Sequence, residues 1–182
     1  MQTAEDNTTY DMSGSTLGSD AGAGIPYRVL TKAQWDGINA FASAAGWQIV
    51  FGLNALQGWH GPSGWEWDPS NARELMEYTT RRKFPVVGWE LGNEPGLKNK
   101  NGAVQTGAGD ARRFSTLLQL MGEIYPGKLG LGTPSSPWVV GPDVTKGGVQ
   151  KGFLSDFLTA FKPASALNVV TWHHYCKIVM LS

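Results

Sequence analysis

The 182-residue chain contains a single cysteine, Cys176, which therefore has no partner for an internal disulfide bond. No apolar run approaches the ~18 residues that a membrane-spanning helix needs. Lys plus Arg and Asp plus Glu number 15 each, so neither sign of charge dominates. A balanced chain lacks the field that attracts nucleic acid, and any acidic ligand must be recognised by a local cluster. The first residues also lack the charged-then-apolar pattern of a signal peptide.

The first 24 residues are poor in apolar side chains. They are mainly Thr, Ser, Gly and Asp, and such a segment buries too little apolar surface to offset its loss of conformational entropy. We therefore predict that residues 1–24 are disordered and that a folded domain follows them.

From Thr31 onward, helix and strand patterns alternate. A helix is predicted from a cap at Thr31 to about residue 45, with a buried stripe of Trp35, Ile38, Ala42 and Ala45. Further helices are predicted to begin at Asp68-Pro69, at Asp110 and near Leu154. The strand segments are 47–54, 86–95, 137–143 and 167–175. Such alternation predicts an α/β fold with a parallel sheet.

The strand over residues 86–95 ends in the polar pair Asn93-Glu94, followed by Pro95. Because Pro95 has no N–H for pairing, we expect the strand to stop there or just before. Side chains alternate along a strand, which would place Glu90 and Glu94 on one face. A carboxyl group at this end of a buried strand is a candidate general acid, since burial raises its pKa. The alternative is a structural junction, with the polar pair capping a helix that has Pro95 at its first position.

The other strand segments also end in polar residues, at the edge where α/β proteins bind ligands. Asn54 ends the first segment, and the residues alone favour a turn there. Asp143 ends the third. On the last strand Thr171, His173 and Tyr175 share one face and His174 lies on the other, which makes His173 and Tyr175 better site candidates than His174. Since adjacent histidines on a strand point apart, they are a poor metal pair, and we predict neither a metal nor another cofactor.

Two loops carry further candidates. Residues 57–68 contain His60 and three tryptophans, which could stack on a sugar ring or pin the loop; pinning is favoured for at least two of Trp59, Trp65 and Trp67. The loop after Glu94 carries Lys98 and Lys100. These could meet an acidic or sulfated sugar, although solvated loop lysines are more common.

Four segments in this order resemble the heparanase family, glycoside hydrolase family 79. They are Phe51-Gly52-Leu53-Asn54-Ala55-Leu56, Trp89-Glu90-Leu91-Gly92-Asn93-Glu94-Pro95, Gly141-Pro142-Asp143 and Val170-Thr171-Trp172-His173-His174-Tyr175. Many retaining glycosidases share the Asn-Glu pair alone, so the specificity lies in four ordered matches.

The resemblance implies part of a (β/α)8 TIM barrel, about strands three to six with their helices, as an open parallel sheet. A complete barrel typically takes ~250 residues. The barrel portion would cover residues 25–176, and residues 177–182 would form a tail outside the family pattern. Open sheet edges would favour self-association.

The resemblance also implies a retaining endo-β-glucuronidase or β-glucuronidase that acts on glucuronic-acid-containing polysaccharides or glycosides. Glu94 would be the general acid/base, and the residues contacting the sugar would be Asn93, Asn54, His173 and Tyr175. Members of the family are mostly secreted, lysosomal or attached to membranes.

A retaining glycosidase needs a second carboxylate as nucleophile, about 5–5.5 Å from the first. In the family this residue follows the histidine strand, and the sequence given ends at Ser182, soon after Tyr175. Asp143 is the only plausible substitute, but the family pattern gives it no such role, and we therefore expect this chain to be inactive. Two alternatives stay open: a non-catalytic carbohydrate-binding or regulatory fragment, and a by-product without function.

Overall fold

The computed structural model describes residues 8–13, 28–56, 66–96, 105–127 and 129–174. The strands in these ranges are β1 (Thr8–Asp11), β2 (Arg28–Thr31), β3 (Ile49–Leu53), β4 (Val86–Leu91), β5 (Trp138–Thr145) and β6 (Val169–His173). The helices are α1 (Lys32–Ala44), α2 (Ser70–Arg82), α3 (Gly107–Ile124), α4 (Lys146–Gln150) and α5 (Phe153–Ala160). Within these residues, none of the helices has the length and apolar character needed to cross a membrane.

The main sheet has four parallel strands in the order β3-β4-β5-β6. Consecutive strands are neighbours, and α2 and α3 connect the first three while α4 and α5 lie between the last two. This arrangement confirms the predicted α/β fold with a parallel sheet. The strands β1 and β2 form a separate parallel pair.

The main sheet curls toward its inner face. The Thr171 hydroxyl on β6 donates to Glu90 Oε1 on β4 at 2.6 Å, although β5 lies between these strands. Side chains of alternate strands meet in this way in the interior of a (β/α)8 barrel. The four strands therefore form a portion of such a barrel, and among the described strands the barrel is not closed.

Alternation along β4 gives the sheet an outer face covered by helices and an inner face on which Glu90 follows Gly88, which lies between Val50 and Val140. Trp89 is fully buried, and its indole N–H donates to the Tyr125 hydroxyl, next to the end of α3, at 2.9 Å. Phe51 of β3 packs edge-on against Trp89, and Trp35 of α1 packs against Phe51 with ring centroids 4.7 Å apart. With Trp89 fixed outward, its neighbour Glu90 is turned inward.

Helices α3 and α5 are packed more closely than an ordinary side chain would permit. A Cβ at Gly107 would collide with the backbone carbonyl of Phe153, so only glycine fits there. Below this crossing the rings of Phe114 and Phe157 meet edge to face at 4.9 Å, and Phe161 stacks on Phe157. This aromatic core supports β5 from the outer side.

The expectation of disorder over residues 1–24 is wrong for residues 8–13. β1 pairs with β2, and Tyr10 and Met12 are buried. The Asn71 side chain bonds both the N–H and the C=O of Tyr10 at 2.7 Å, and the Tyr10 hydroxyl accepts from the Asn54 N–H at 2.8 Å. Partners distant in the sequence thus order a segment whose local composition predicts disorder.

Helix α1 confirms its predicted cap but not its whole stripe. The Thr31 hydroxyl accepts from the Gln34 N–H, and the Gln34 side chain accepts from the Thr31 N–H, a reciprocal capping box. Its buried residues are Trp35, Asn39 and Ala42, whereas Ile38 is 43% exposed and Ala45 is also exposed. Asn39 takes an inward position by donating to the Trp35 carbonyl at 2.8 Å.

Two other helix starts differ from the prediction. α2 begins at Ser70, one residue after the predicted Pro69, and Asp68 accepts the Ser70 N–H at 2.9 Å. α3 begins at Gly107, before the predicted Asp110, because Thr106 caps it by accepting from the Gly109 N–H.

Candidate active site

Glu94 is positioned by a loop, not by the strand that precedes it. β4 ends at Leu91, earlier than the stop predicted near Pro95. Gly92 then turns the chain with φ of 81°, a left-handed conformation that favours glycine, and Glu94 itself has φ of 49°. The Glu94 N–H donates to the Asp143 carbonyl at 3.0 Å, which attaches the loop to β5.

Both sequence-based arguments about this loop are therefore wrong in part. Strand alternation stops at Leu91 and does not reach Glu94. The alternative of a helix cap also fails, because Pro95 and Gly96 form a turn and the next helix among the described residues begins at Gly107. The acid is directed to the inner face by its bonds to β5 and β6.

Two carboxylates share one imidazole ring at this end of the sheet. His173 Nδ1 lies 2.8 Å from Glu94 Oε1, and His173 Nε2 lies 2.9 Å from Asp143 Oδ1. We call these three residues the imidazole cluster. The side chains of Glu94 and Asp143 are 10% and 12% exposed, and that of His173 is 30% exposed. The cluster is thus partly shielded but open on the side of the histidine.

A second set of bonds supports the cluster from below. Asp143 has φ of 52° and lies where the β5–β6 register shifts, so its backbone departs from regular pairing. Its N–H donates to Thr171 Oγ1 at 3.0 Å, and the same hydroxyl donates to Glu90 Oε1 at 2.6 Å. Thr171 and His173 are two residues apart on one face, so Glu90 lies deeper than Glu94 on the same side of the sheet.

The charges in the cluster favour a protonated histidine. The hydrogen bond to Glu94 raises the pKa of His173 above 6.5, burial opposes the rise, and the charges of Asp143, Glu94 and Glu90 add to it. A neutral imidazole has one N–H, whereas the imidazolium can donate to both carboxylates. The geometry therefore favours the imidazolium form of His173, with one ring N–H directed at each acid side chain.

Asn54 lies just after β3 and is buried. Its side-chain Oδ1 accepts from the Leu56 N–H at 2.9 Å, the contact of a turn residue, as the residues alone favoured. Its backbone carbonyl accepts from the indole N–H of Trp67 at 2.9 Å. Trp67, 5% exposed, thus pins the loop before α2 instead of offering a free face to a sugar.

Some of the other candidates lie within the described residues and others do not. Asn93 is half-buried beside Glu94, and His174 is exposed just after the end of β6. The remaining candidates lie outside the described residues, and their roles stay predictions: Tyr175, Trp59, His60, Trp65, Lys98 and Lys100.

Sequence reasoning missed how Asp143 and Thr171 serve the site. It recognised Asp143 as a strand end and Thr171 as a residue on the face of His173. The bonds that join them to each other and to Glu90 and Glu94 cross strands and depend on the left-handed backbone at Asp143. The alternation of Thr171 and His173 was the signal that the sequence offered.

Residues 9–177 match the family model described as "Glycosyl hydrolase family 79, N-terminal domain". The match includes residues 9–24, which were expected to be disordered, and Lys177, which was expected to lie in the non-family tail.

The chain is also similar to curated proteins. It is 34% identical over 151 residues to the heparanase of Gallus gallus, covering 80% of this chain and 26% of the relative. It is 30% identical over 151 residues to heparanase-like protein 3 of Arabidopsis thaliana, with the same coverage of 80% and 26%. Its identity to the inactive heparanase-2 of Homo sapiens is 28% over 148 residues, covering 80% of this chain and 23% of the relative. The chain thus spans about a quarter of the length of these relatives.

Proposed function

Because the chain belongs to glycosyl hydrolase family 79, we propose that it carries the acid/base part of a heparanase-type retaining glycoside hydrolase, with Glu94 as the general acid/base. The observation that carries the proposal is the position of Glu94, 8% exposed at the carboxyl end of β4 and hydrogen-bonded to His173. In barrel enzymes, chemistry takes place at this end of the strands.

Glu94 has two tasks in such a reaction. With the proton of its bond to His173 Nδ1 on its own oxygen, it is a carboxylic acid and donates that proton to the glycosidic oxygen while the bond from that oxygen to the sugar breaks. As a carboxylate it then takes a proton from the water that releases the sugar from the nucleophile. The half-buried Asn93 next to it is our candidate for a hydrogen bond to a sugar hydroxyl, and Asn54 and Tyr175 are proposed as further substrate contacts.

The geometry disfavours Asp143 as a substitute nucleophile. The His173 ring stands between Asp143 and Glu94 and bonds both, so a sugar cannot enter between the two carboxylates without displacing the ring. Glu90 is no better, because it accepts from Thr171 deeper on the same face. We therefore assign the covalent step to a carboxylate other than these.

The proposed substrates are glucuronic-acid-containing polysaccharides or glycosides, and the proposed location is secreted or lysosomal. Both follow from the family and from relatives named heparanase.

A non-catalytic, sugar-binding role is the second candidate. It is favoured by the similarity to proteins named inactive heparanase-2. In that case the imidazole cluster would bind the sugar without cleaving it.

Hydrolysis with two leaving groups tests the acid/base role. In a protein that also contains the nucleophile carboxylate, Glu94→Gln should remove most turnover of heparan sulfate but less turnover of an activated aryl glucuronide, because only the poor leaving group needs protonation. Asp156→Asn, which removes an exposed carboxylate on α5, is the matched control and should behave as the parent. Equal loss on both substrates would contradict the assignment of Glu94 as a general acid.

Binding is measured in parallel by NMR titration with a glucuronide. Saturable shifts of the His173 signals without turnover would support the sugar-binding role instead. If neither turnover nor binding is observed, both proposed functions are wrong.

A further inference from the structure

Glu94 depends on strands other than its own. It follows a left-handed glycine and is itself left-handed, with φ of 49°, so the end of β4 alone does not fix its direction. A backbone bond to the Asp143 carbonyl and a side-chain bond to His173 attach it to the neighbouring strands.

Both attachments lead to Asp143. The carbonyl of Asp143 accepts from the Glu94 N–H, and the carboxylate of Asp143 bonds the other nitrogen of the ring that holds the Glu94 side chain. One residue of β5 therefore positions the backbone of Glu94 directly and its carboxyl group through the imidazole. At metal sites, hydrogen-bond partners of the ligating histidines fix the orientation of those rings in a comparable way.

Asp143 is in turn held in an unusual backbone conformation. Its φ of 52° is uncommon for a residue other than glycine, and its N–H is satisfied by Thr171. Thr171 is oriented by its own bond to Glu90. Thr171, Asp143 and His173 thus form a chain of hydrogen bonds that connects Glu90 on the inner face to the Glu94 carboxyl group.

We propose that Asp143 is a positioning residue that holds the Glu94 carboxyl group in its working orientation, through His173 and through its own carbonyl oxygen. This inference rests on the proposed function of Glu94. Thr171 is a second positioning residue, which acts by fixing Asp143.

The titration of His173 reports the cluster without any need for turnover. The groups that face the ring are Glu94 and Glu90 from the β4 region and Asp143 from β5. The charged residue on the adjacent α4 is Lys146, which is exposed. Because the carboxylate charges raise the pKa of His173, removal of one of them should lower the midpoint of its titration.

The test follows the ring signals of His173 by NMR across pH in the full 182-residue chain. The chain has three histidines, so a His173→Gln spectrum assigns the signal, and His174 provides an internal reference. Asp143→Asn keeps the shape and removes the charge, and Asp143→Ala also removes the hydrogen bond. Asp156→Asn is again the control.

We expect the His173 midpoint to fall in Asp143→Asn, to fall further in Asp143→Ala and to stay unchanged in Asp156→Asn. Thr171→Val keeps the shape of the side chain and lacks the hydroxyl, and it should lower the His173 midpoint less than the Asp143 variants do. If the Asp143 variants do not fold, the midpoint in Thr171→Val tests the inference in their place. An unchanged midpoint in a folded Asp143→Asn chain would overturn the inference.

Turnover separates this inference from the proposed function. In an active protein, Asp143→Ala should lower kcat more than it changes KM, and Asp143→Asn should recover part of kcat. If turnover depends on Glu94 but the His173 midpoint is unchanged in Asp143→Asn, only the positioning role is wrong. If the midpoint is lowered but neither turnover nor sugar binding is observed, only the proposed function is wrong.

Discussion

Two groups of charged residues in this protein differ in how deeply they are buried and in how closely their charges are paired. The imidazole cluster lies at the carboxyl ends of the strands, with bonds of 2.8 and 2.9 Å and with side chains that keep 10–30% exposure. The second group, which we call the helix pair, is Asp110 and Arg113 in the first turns of α3. Their side chains are 2% and 1% exposed, and Nη1 and Oδ1 are 4.0 Å apart.

The different surroundings raise the pKa of both groups but favour opposite charge states, the neutral form of Asp110 and the charged form of His173. Burial raises the pKa of Asp110 to about 7, and the nearby charge of Arg113 opposes the rise only in part. Asp110 Oδ2 has no hydrogen-bond partner among the described residues. In the imidazole cluster, short bonds to carboxylates instead raise the pKa of a base, His173. Deep burial without short bonds thus favours neutralisation, whereas short bonds with partial exposure favour an ion pair.

The largest effect is expected when the helix pair loses its cation. Arg113→Met leaves Asp110 buried without a positive charge, and breaking a buried pair in this way costs about 3–5 kcal/mol. The cost applies where the carboxyl group would otherwise be ionised, at about pH 8, and should be smaller at about pH 5, where Asp110 is protonated in the folded protein. Urea unfolding at both pH values measures the difference.

A double variant is the control for this experiment. Asp110→Asn combined with Arg113→Met removes both charges and should recover part of the lost stability, since apolar or neutral replacement of a whole buried pair is often tolerated. An equal loss at both pH values would mean that packing, and not charge, dominates the helix pair.

The next effect is the pH dependence that Asp110 imposes. Its folded pKa lies above its unfolded value of 3.8, so the unfolded chain releases this proton first as the pH rises. The free energy of unfolding should therefore fall between about pH 4 and 7, by at most about 1.4 kcal/mol per pH unit for this one proton. Asp110→Asn should lack this component. Unfolding of both proteins across the range tests it, and parallel curves would contradict the prediction.

The fold was predictable because its signals are local. The periodicity of α2, the Thr31 cap and the apolar run before Glu90 each specify an element from a few neighbouring residues. The strand β1 was not predictable in this way, because Tyr10 is ordered by Asn71 and Asn54, which lie far from it in the sequence. Ile38 fits the predicted apolar stripe of α1 but is exposed. Periodicity predicts which side chains share a face of a helix, but it does not predict which part of that face another element covers.

The site was predictable as a set of residues but not as an arrangement. Strand ends indicated Glu94, Asp143 and His173, because parallel strands bring their carboxyl ends to one edge. Their mutual bonds depend on left-handed backbone conformations at Glu94 and Asp143, which the residue types do not predict. The pairing of one ring with two carboxylates is therefore a property of the folded structure that residue types alone do not predict.

Loss of the histidine should affect stability less than loss of Arg113. His173→Gln removes a partly exposed ion pair, and such pairs contribute about 0–1 kcal/mol. We expect a change within that range in urea unfolding at neutral pH, while sugar binding or turnover at the site is lost. A loss as large as that of Arg113→Met would show that the imidazole cluster supports the fold as well as the site. His174→Gln, at the exposed residue that follows the same strand, is the matched control.

The smallest effect is the pH dependence contributed by His173. Its folded pKa is raised above the unfolded value of 6.5, so its stabilising contribution is fully present below about pH 6.5 and is lost as the pH rises through the folded value. Asp110 titrates near the same range and would obscure this component, so the comparison is best made in the Asp110→Asn background. There, the unfolding free energy of the protein with His173 should decline from about pH 6.5 upward relative to the His173→Gln variant. If the two curves instead diverge as the pH rises, with His173 more stabilising in base, the ring is neutral in the folded protein and the cluster is not an imidazolium between two carboxylates.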